Sequence, residues 1–399
     1  MDDKIIVGVP GPWGSRTELG RALAEGPSPR FLLAGEVLID VTTNRAVVLE
    51  HYERDDDLAQ AFSIAGGGRL SDETLAAIER HQTTAYILAD PGVDGARQIL
   101  AVASALLEAG GTGVKVETAG AAHDPERWRW MAERPGPLAA YDALVTLVGS
   151  ETGAYSCGMR NFGLPDVGAD VMENLDLAGL LTAFNQWQLL ERPDLGGEAW
   201  FAEELDGPAF TPRLEPYGYE PGTSLNNPHG KWVLKPGEMP VLDGVQADGP
   251  LFVALPSDSE EVKRSVEHAQ ATLPRLRTYL ADPTDWGRAM VKVHLVDGDE
   301  SAHIWLVLVD ADETSFTGQF IELPPEFASF RVHDAHTRPW RDLKDWAILR
   351  HGAMIGGFSL RLARDRFEPA RRRWHELYTG ALAFEPIEGL LERYAPSPR

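Results

Sequence analysis

The residues of this chain best placed to do chemistry are two histidines, a lysine and a tryptophan within one short stretch. It reads Met290-Val-Lys-Val-His-Leu-Val296, then Asp297-Gly-Asp-Glu300, then Ala302-His-Ile-Trp-Leu-Val-Leu-Val309. Alternating apolar and polar residues predict a hairpin with Asp297 to Glu300 as its loop. That loop sets His294 opposite His303 and puts Val291, Val293, Leu295, Ile304, Leu306 and Leu308 on the core face. Lys292, His294, His303 and Trp305 share the other face and form the candidate binding surface. Opposed imidazoles lie about 5 Å apart at Cβ and suit a metal ion, given a third ligand such as His333, His336 or His351. The plainer expectation is a wet or helix-covered sheet face. No metal and no cofactor is therefore assigned.

The sole thiol lies in Tyr155-Ser-Cys-Gly-Met159. A nucleophile elbow needs glycine two residues before its serine, where Ala154 stands, so Cys157 is expected as a packed strand-end residue. Gly8-Val-Pro-Gly-Pro-Trp-Gly14 follows a strand and precedes a helix, yet it lacks the Lys-Ser/Thr of a phosphate loop. Its prolines also remove amide donors that an anion needs. Neither His-Glu-x-x-His nor a paired-carboxylate signature occurs, and no catalytic residue is assigned.

These residues need elements to position them. The 399 residues exceed one ordinary core, and two domains are expected, at 1–240 and 250–399. Hydrophobic residues make up 43%, with 11 Trp and 14 Phe, enough for real cores. Strands are expected at Ile5 to Val9, Phe31 to Val41, Arg45 to His51, Ala85 to Ala89, Val114 to Val116 and Ala143 to Val148. Helices are expected after the Ser15/Glu18 capping box, after Ser71, at Ala96 to Ala109, at Pro125 to Ala132 and at Leu175 to Leu190. Lys231 to Leu234 reads as a hidden strand and Lys235 to Pro250 as a linker. The second domain is expected to open with a strand at Leu251 to Leu255. A helix from Glu260 to Tyr279 follows, broken near Leu273 by Pro274, and Phe316 to Ile321 forms a further strand. A Trp-marked turn at Asp345-Trp346 and a double-glycine turn at Gly356-Gly357 complete it. The fold class is α+β, a mixed sheet with flanking helices followed by a smaller antiparallel sheet with helices.

With 37 basic against 61 acidic side chains the net charge is −24. Such a surface repels nucleic acid and anionic membrane and attracts a basic protein. From Arg331 to Arg373, however, eleven bases face five acids, a reversal expected to meet the acidic first domain. One cysteine permits no internal disulfide and fits a reducing compartment. The N-terminus lacks a signal-peptide pattern and no apolar run is long enough to span a bilayer, so a cytoplasmic protein is expected. Its oligomeric state stays open.

Two segments carry resemblances. His303-Ile-Trp305, Gly318, Asp345-Trp346 and Gly356-Gly-Phe-Ser-Leu-Arg361 resemble a YegJ-like bacterial domain of unknown function, spanning roughly Glu260 to Arg366. Ala302 stands where that family commonly has an acid. Tyr155 to Gly163 and Leu164-Pro-Asp166 resemble a second uncharacterised bacterial family marked by Gly-Met-x-x-Phe-Gly, here Gly158, Met159, Phe162 and Gly163. Neither resemblance implies an activity. Gly158, Met159, Phe162, Gly163, Trp346, Gly356 and Gly357 are expected to act structurally, the glycines permitting turns or close approach. The leading expectation is a protein-binding protein, toxin-neutralising or regulatory, with a basic partner. The alternative is a hydrolase or metal-dependent enzyme using the His294/His303 face.

Overall fold

The computed structural model describes residues 4–26, 30–134, 136–196, 199–216, 226–238, 259–281 and 287–391. It is an α+β protein whose chain divides into two compact units. The first comprises Met1–Leu181 and Pro212–Lys235; the second comprises Thr182–Thr211 and Pro236–Arg399.

In the first unit, β1 (Ile5–Gly11), β2 (Phe31–Ala34), β3 (Val37–Asp40), β4 (Arg45–Glu53), β5 (Thr83–Ala89), β6 (Val114–Val116) and β7 (Ala121–His123) form a seven-stranded sheet. Its order is β2-β3-β4-β5-β1-β6-β7, with every pair antiparallel. Strand periodicity sends Ile5, Val7 and Val9 to one face, where they are fully buried. Helix α4 (Val93–Glu108) packs on β1 and β5 and buries Ile99, Ala103 and Leu106. The Ser15 hydroxyl accepts from the Glu18 amide at the start of α1 (Arg16–Glu25), while the Glu18 carboxylate accepts from the Gly14 amide. This closes the cap one residue earlier than the standard capping box.

Two expectations for this unit need correction, and one helix was not expected. Phe31 to Val41 is not one strand: Gly35, at φ +63°, turns the chain between β2 and β3. Ala143 and Leu144 end helix α6 (Pro137–Leu144), and only Thr146–Gly149 is strand β8. The helix at Leu58–Gly66 lacks a side-chain N-cap, the signal that marks the helix after Ser71. Strands β8, β9 (Gly153–Cys157), β10 (Asp166–Asp170) and the Lys231–Gly237 strand lie side by side, with β10 parallel to the last of these. That strand runs past Lys235 into the expected linker. Positions 239–258, which include the rest of that linker and the strand expected at 251–255, lie outside the described residues.

The second unit also holds a seven-stranded sheet. Counting only the strands used below, β11 (Arg288–Asp297) pairs with β12 (Glu300–Ala311) on one side and with β13 (Leu343–Arg350) on the other. Ser315–Phe320 extends it beyond β12, and Ala353–Gly356 and Ala383–Phe384 extend it beyond β13. The expected long helix is two, Glu260–Ala271 and Leu273–Leu280, parted at Thr272 because Pro274 has no amide to donate back.

Candidate functional site

The hairpin register is the expected one, with His294 opposite His303 and Lys292 opposite Trp305. Gly298, at φ +64°, occupies the first loop position, where hairpin twist favours a positive φ. Val291, Val293, Leu295, Ile304, Leu306 and Leu308 are all buried. The second face is graded. At one end Met290 packs with Ala347, Met354, Ala381 and Phe384, and Trp305 and Leu360 lie against that cluster. At the other end His294 is exposed and His303 half-buried, their ring centroids 5.2 Å apart. Burial, then Lys292 and His294, bring His303 down to about 4 and leave it neutral at neutral pH. Among the described residues no group of three His, Cys, Asp or Glu is arranged to hold a metal.

Lys292 sits between these ends and has a partner absent from the sequence assignment. Register places it beside Asp345 on β13, and its ammonium donates to the Ser359 hydroxyl at 3.1 Å. Ser359 belongs to α10 (Phe358–Asp365), the first helix after the double glycine. The fully buried Asp345 accepts from the amides of Trp346 (2.8 Å), Phe358 (3.2 Å) and Ser359 (2.7 Å), and from the Ser359 hydroxyl (2.6 Å). Burial pushes Asp345 up and Lys292 down, both toward their neutral forms, although each partly restrains the other. The Ser359 hydroxyl is thus engaged as donor and acceptor. A carboxylate that satisfies the open N-terminus of a helix is a clamp.

Asp345 and Trp346 lie inside β13, not in a turn. The Trp346 ring is fully buried, and its Nε1 donates to Ala269 O and Thr272 Oγ1, both at 3.1 Å. Gly356 and Gly357 do turn the chain, at φ +76° and +65°. A Cβ on Gly356 would lie 2.5 Å from Trp346 O and 2.9 Å from its ring. Gly356→Ala is therefore expected to cost about 3 kcal/mol or more, from left-handed strain and overpacking together, read as a lowered denaturant midpoint.

The N-terminal motif is likewise architectural. Gly158 adopts φ +121°, with Leu144 O 2.3 Å from its would-be Cβ, and Gly163 adopts φ +70°. Met159 and Phe162 are buried in the single helical turn between them. Asp166 accepts from the Ser156 hydroxyl (3.2 Å), the Met159 amide (3.0 Å) and Asn227 Nδ2 (2.7 Å). Burial nevertheless pushes it up to about 6. Cys157 is buried, and its thiol is pushed up to about 12 by burial and then by Asp166, the reverse of an activated nucleophile.

The basic run from Arg331 to Arg373 finds acids within its own unit. Arg364 bonds Glu376 and Glu191, Arg373 bonds Glu376, and Arg366 pairs with Glu261. Sequence could not anticipate Glu191, which falls in the segment Thr182–Thr211.

A further feature went unread in the sequence: the first unit's sheet presents a second face to solvent. Register aligns Leu32 with Ile39, Val37 with Val48, Val48 with Leu88 and Leu88 with Ile6. Leu32, Val37, Val48 and Tyr52 are 55%, 39%, 40% and 52% exposed. Beside them a cleft of about 330 Å³ is lined by residues including Glu50, Tyr52, Glu53, Asp55 and Tyr86. The sequence signal is Val48 and Tyr52 on one side of β4 with Glu50 between them, a pattern that reads equally well as a second buried face.

Among the described residues no helix is long and apolar enough to cross a membrane. No curated protein and no solved structure matches the chain. Residues 259–382 match the model of a family described as an uncharacterized protein conserved in bacteria (DUF2314), so the hairpin, Asp345, the double glycine and α10 all lie within a segment similar to that family.

Proposed function

We propose that the protein binds a basic partner protein through the open face of the first unit's sheet. The carrying observation is the exposed apolar strip from Leu32 through Val37 to Val48, flanked by Glu50, Glu53 and Asp55. Exposed apolar surface edged by charge suits a protein interface. These acids, without a basic partner among the described residues, favour a basic surface and would steer its approach, and the chain's net charge of −24 acts in the same sense. A regulatory or toxin-neutralising role is the finer form of this proposal. The finer resemblances, YegJ-like at 260–366 and the Gly-Met-x-x-Phe-Gly family at 1–235, accompany it without adding an activity. The hydrolase reading draws on the His294–His303 pair, but Ser359, the hydroxyl bonded to Lys292, is held at both sides by hydrogen bonds.

The test is affinity capture with the full chain at low salt, followed by reconstitution with the purified partner. A basic protein is expected to bind stoichiometrically, with binding weakened by salt. Val37→Asp, at an already exposed site, should weaken it about tenfold or more by placing a charge in the interface core. No partner at low salt, or one bound equally by folded Val37→Asp, would overturn the proposal.

A further inference from the structure

We infer that the cleft beside β4, β5 and β1 receives an arginine side chain of the partner. The inference rests on the docking reading above and names its chemistry. Four independent features converge on a flat, extended cation.

The first is aromatic. Tyr52 and Tyr86 meet edge to face, with ring centroids 5.4 Å apart and planes at 88°. Tyr86 can lie across β1 because its neighbour there is Gly8, whose would-be Cβ falls 2.8 Å from the Tyr86 ring. Ring faces attract cations, and guanidinium most often among side chains. The second is charge. Glu50, Glu53 and Asp55 line the cleft, and among the described residues none of the three has a basic partner. Glu50 accepts from the Tyr52 hydroxyl at 2.9 Å, which fixes that ring beside the carboxylate.

The third feature is a hydroxyl without a partner. Thr84 lines the cleft and is 2% exposed, yet its Oγ1 makes no hydrogen bond. Its neighbour Thr83 is satisfied, donating to Trp13 O at 2.6 Å. A buried hydroxyl is seldom left unpaired, and a guanidinium N–H would supply what it lacks. The fourth is the apolar lining from Ile6 and Leu88, which suits the methylene stem of a long cationic side chain. Arginine fits better than lysine because its planar fork can reach a carboxylate and the hydroxyl while stacking on a ring.

The experiment titrates the full protein with a capped Gly-Arg-Gly peptide and with its lysine and citrulline counterparts, followed by amide and tyrosine ring chemical shifts. Saturable binding of the arginine peptide is expected, with shifts confined to residues around Tyr52, Thr84 and Tyr86. Citrulline, which keeps the shape without the charge, should bind at least tenfold more weakly. Thr84→Val and the double variant Glu50→Gln/Asp55→Asn should each weaken the arginine peptide severalfold in chains whose spectra remain folded. Gly8→Leu offers a steric check, since displacing the Tyr86 ring should abolish the response. Equal binding of arginine and citrulline peptides, or binding unchanged in the folded Thr84 and carboxylate variants, would overturn the inference. Val37→Asp lies on the neighbouring strand β3, opposite Val48 and outside the cleft lining, and should retain the peptide while losing the partner. A partner that docks normally although the arginine peptide fails would leave the docking reading standing and remove this one.

Discussion

Asp345→Ala is expected to destabilise the second unit by about 3–5 kcal/mol, the cost of removing one member of a buried charged pair. The variant removes more than a charge. Phe358 and Ser359 lose the acceptor for the first two amides of α10, and Lys292 is left half-buried with the Ser359 hydroxyl and the Trp305 ring but no carboxylate beside it. Every orphaned donor adds to the penalty, because Asp345 and the Trp346 and Phe358 residues whose amides donate to it are all buried. Native-state hydrogen exchange of the full chain provides the measurement. The amides of Phe358 and Ser359 should lose protection along with the unit as a whole. Asp345→Asn should cost less, since one carbonyl oxygen still accepts. A loss below about 1 kcal/mol would mean that water replaces the carboxylate, and the clamp would then be incidental.

The clamp also shows where the sequence stops being informative. The hairpin was legible because its register depends on neighbours only: strict alternation fixes the faces and a short loop fixes the pairing. Asp345 and Ser359 were visible as parts of a motif, but not as partners of Lys292. Their meeting depends on β13 docking beside β11, a contact made across some fifty residues, as the pairing of Lys292 with Asp345 shows. No local pattern encodes that distance. The same holds for Glu191 and Arg364, which no periodicity connects. Cys157 was readable from what surrounds it in sequence, because activation would have required an identifiable base nearby. The acidic cleft escaped for a different reason. Tyr52, Tyr86 and Thr84 are ordinary strand residues, and only the absence of a covering element among the described residues makes their face a surface. An uncovered sheet face is a property of topology, and β4 and β5 look alike in sequence whether covered or not.

The second large effect concerns a charged pair used for architecture alone. Arg275, in the helix Leu273–Leu280, meets Glu385 at 2.6 Å, with both side chains 1% exposed. Burial draws the guanidinium down, but Glu385 and Tyr279 more than offset it, so Arg275 is held above its ordinary value and stays charged. The Glu385 amide donates to Met354 O at 3.0 Å, tying the pair to the sheet edge. The carboxylate is nevertheless incompletely served: its Oε1 is buried without a hydrogen-bond partner. Glu385→Leu alone should cost about 3–5 kcal/mol by stranding a buried cation, and Arg275→Met alone a similar amount by stranding the anion. The double variant should recover most of either loss, because two desolvation penalties disappear along with the attraction and methionine adapts to the vacated space. Denaturant midpoints of the four chains form a double-mutant cycle whose coupling should exceed about 2 kcal/mol. A double variant as unstable as the worse single one would show that shape, rather than charge, holds the helix at this site. Strong recovery would instead mean that the pair specifies which strand end the helix meets while adding little net stability, the behaviour expected of an ion pair buried at full desolvation cost.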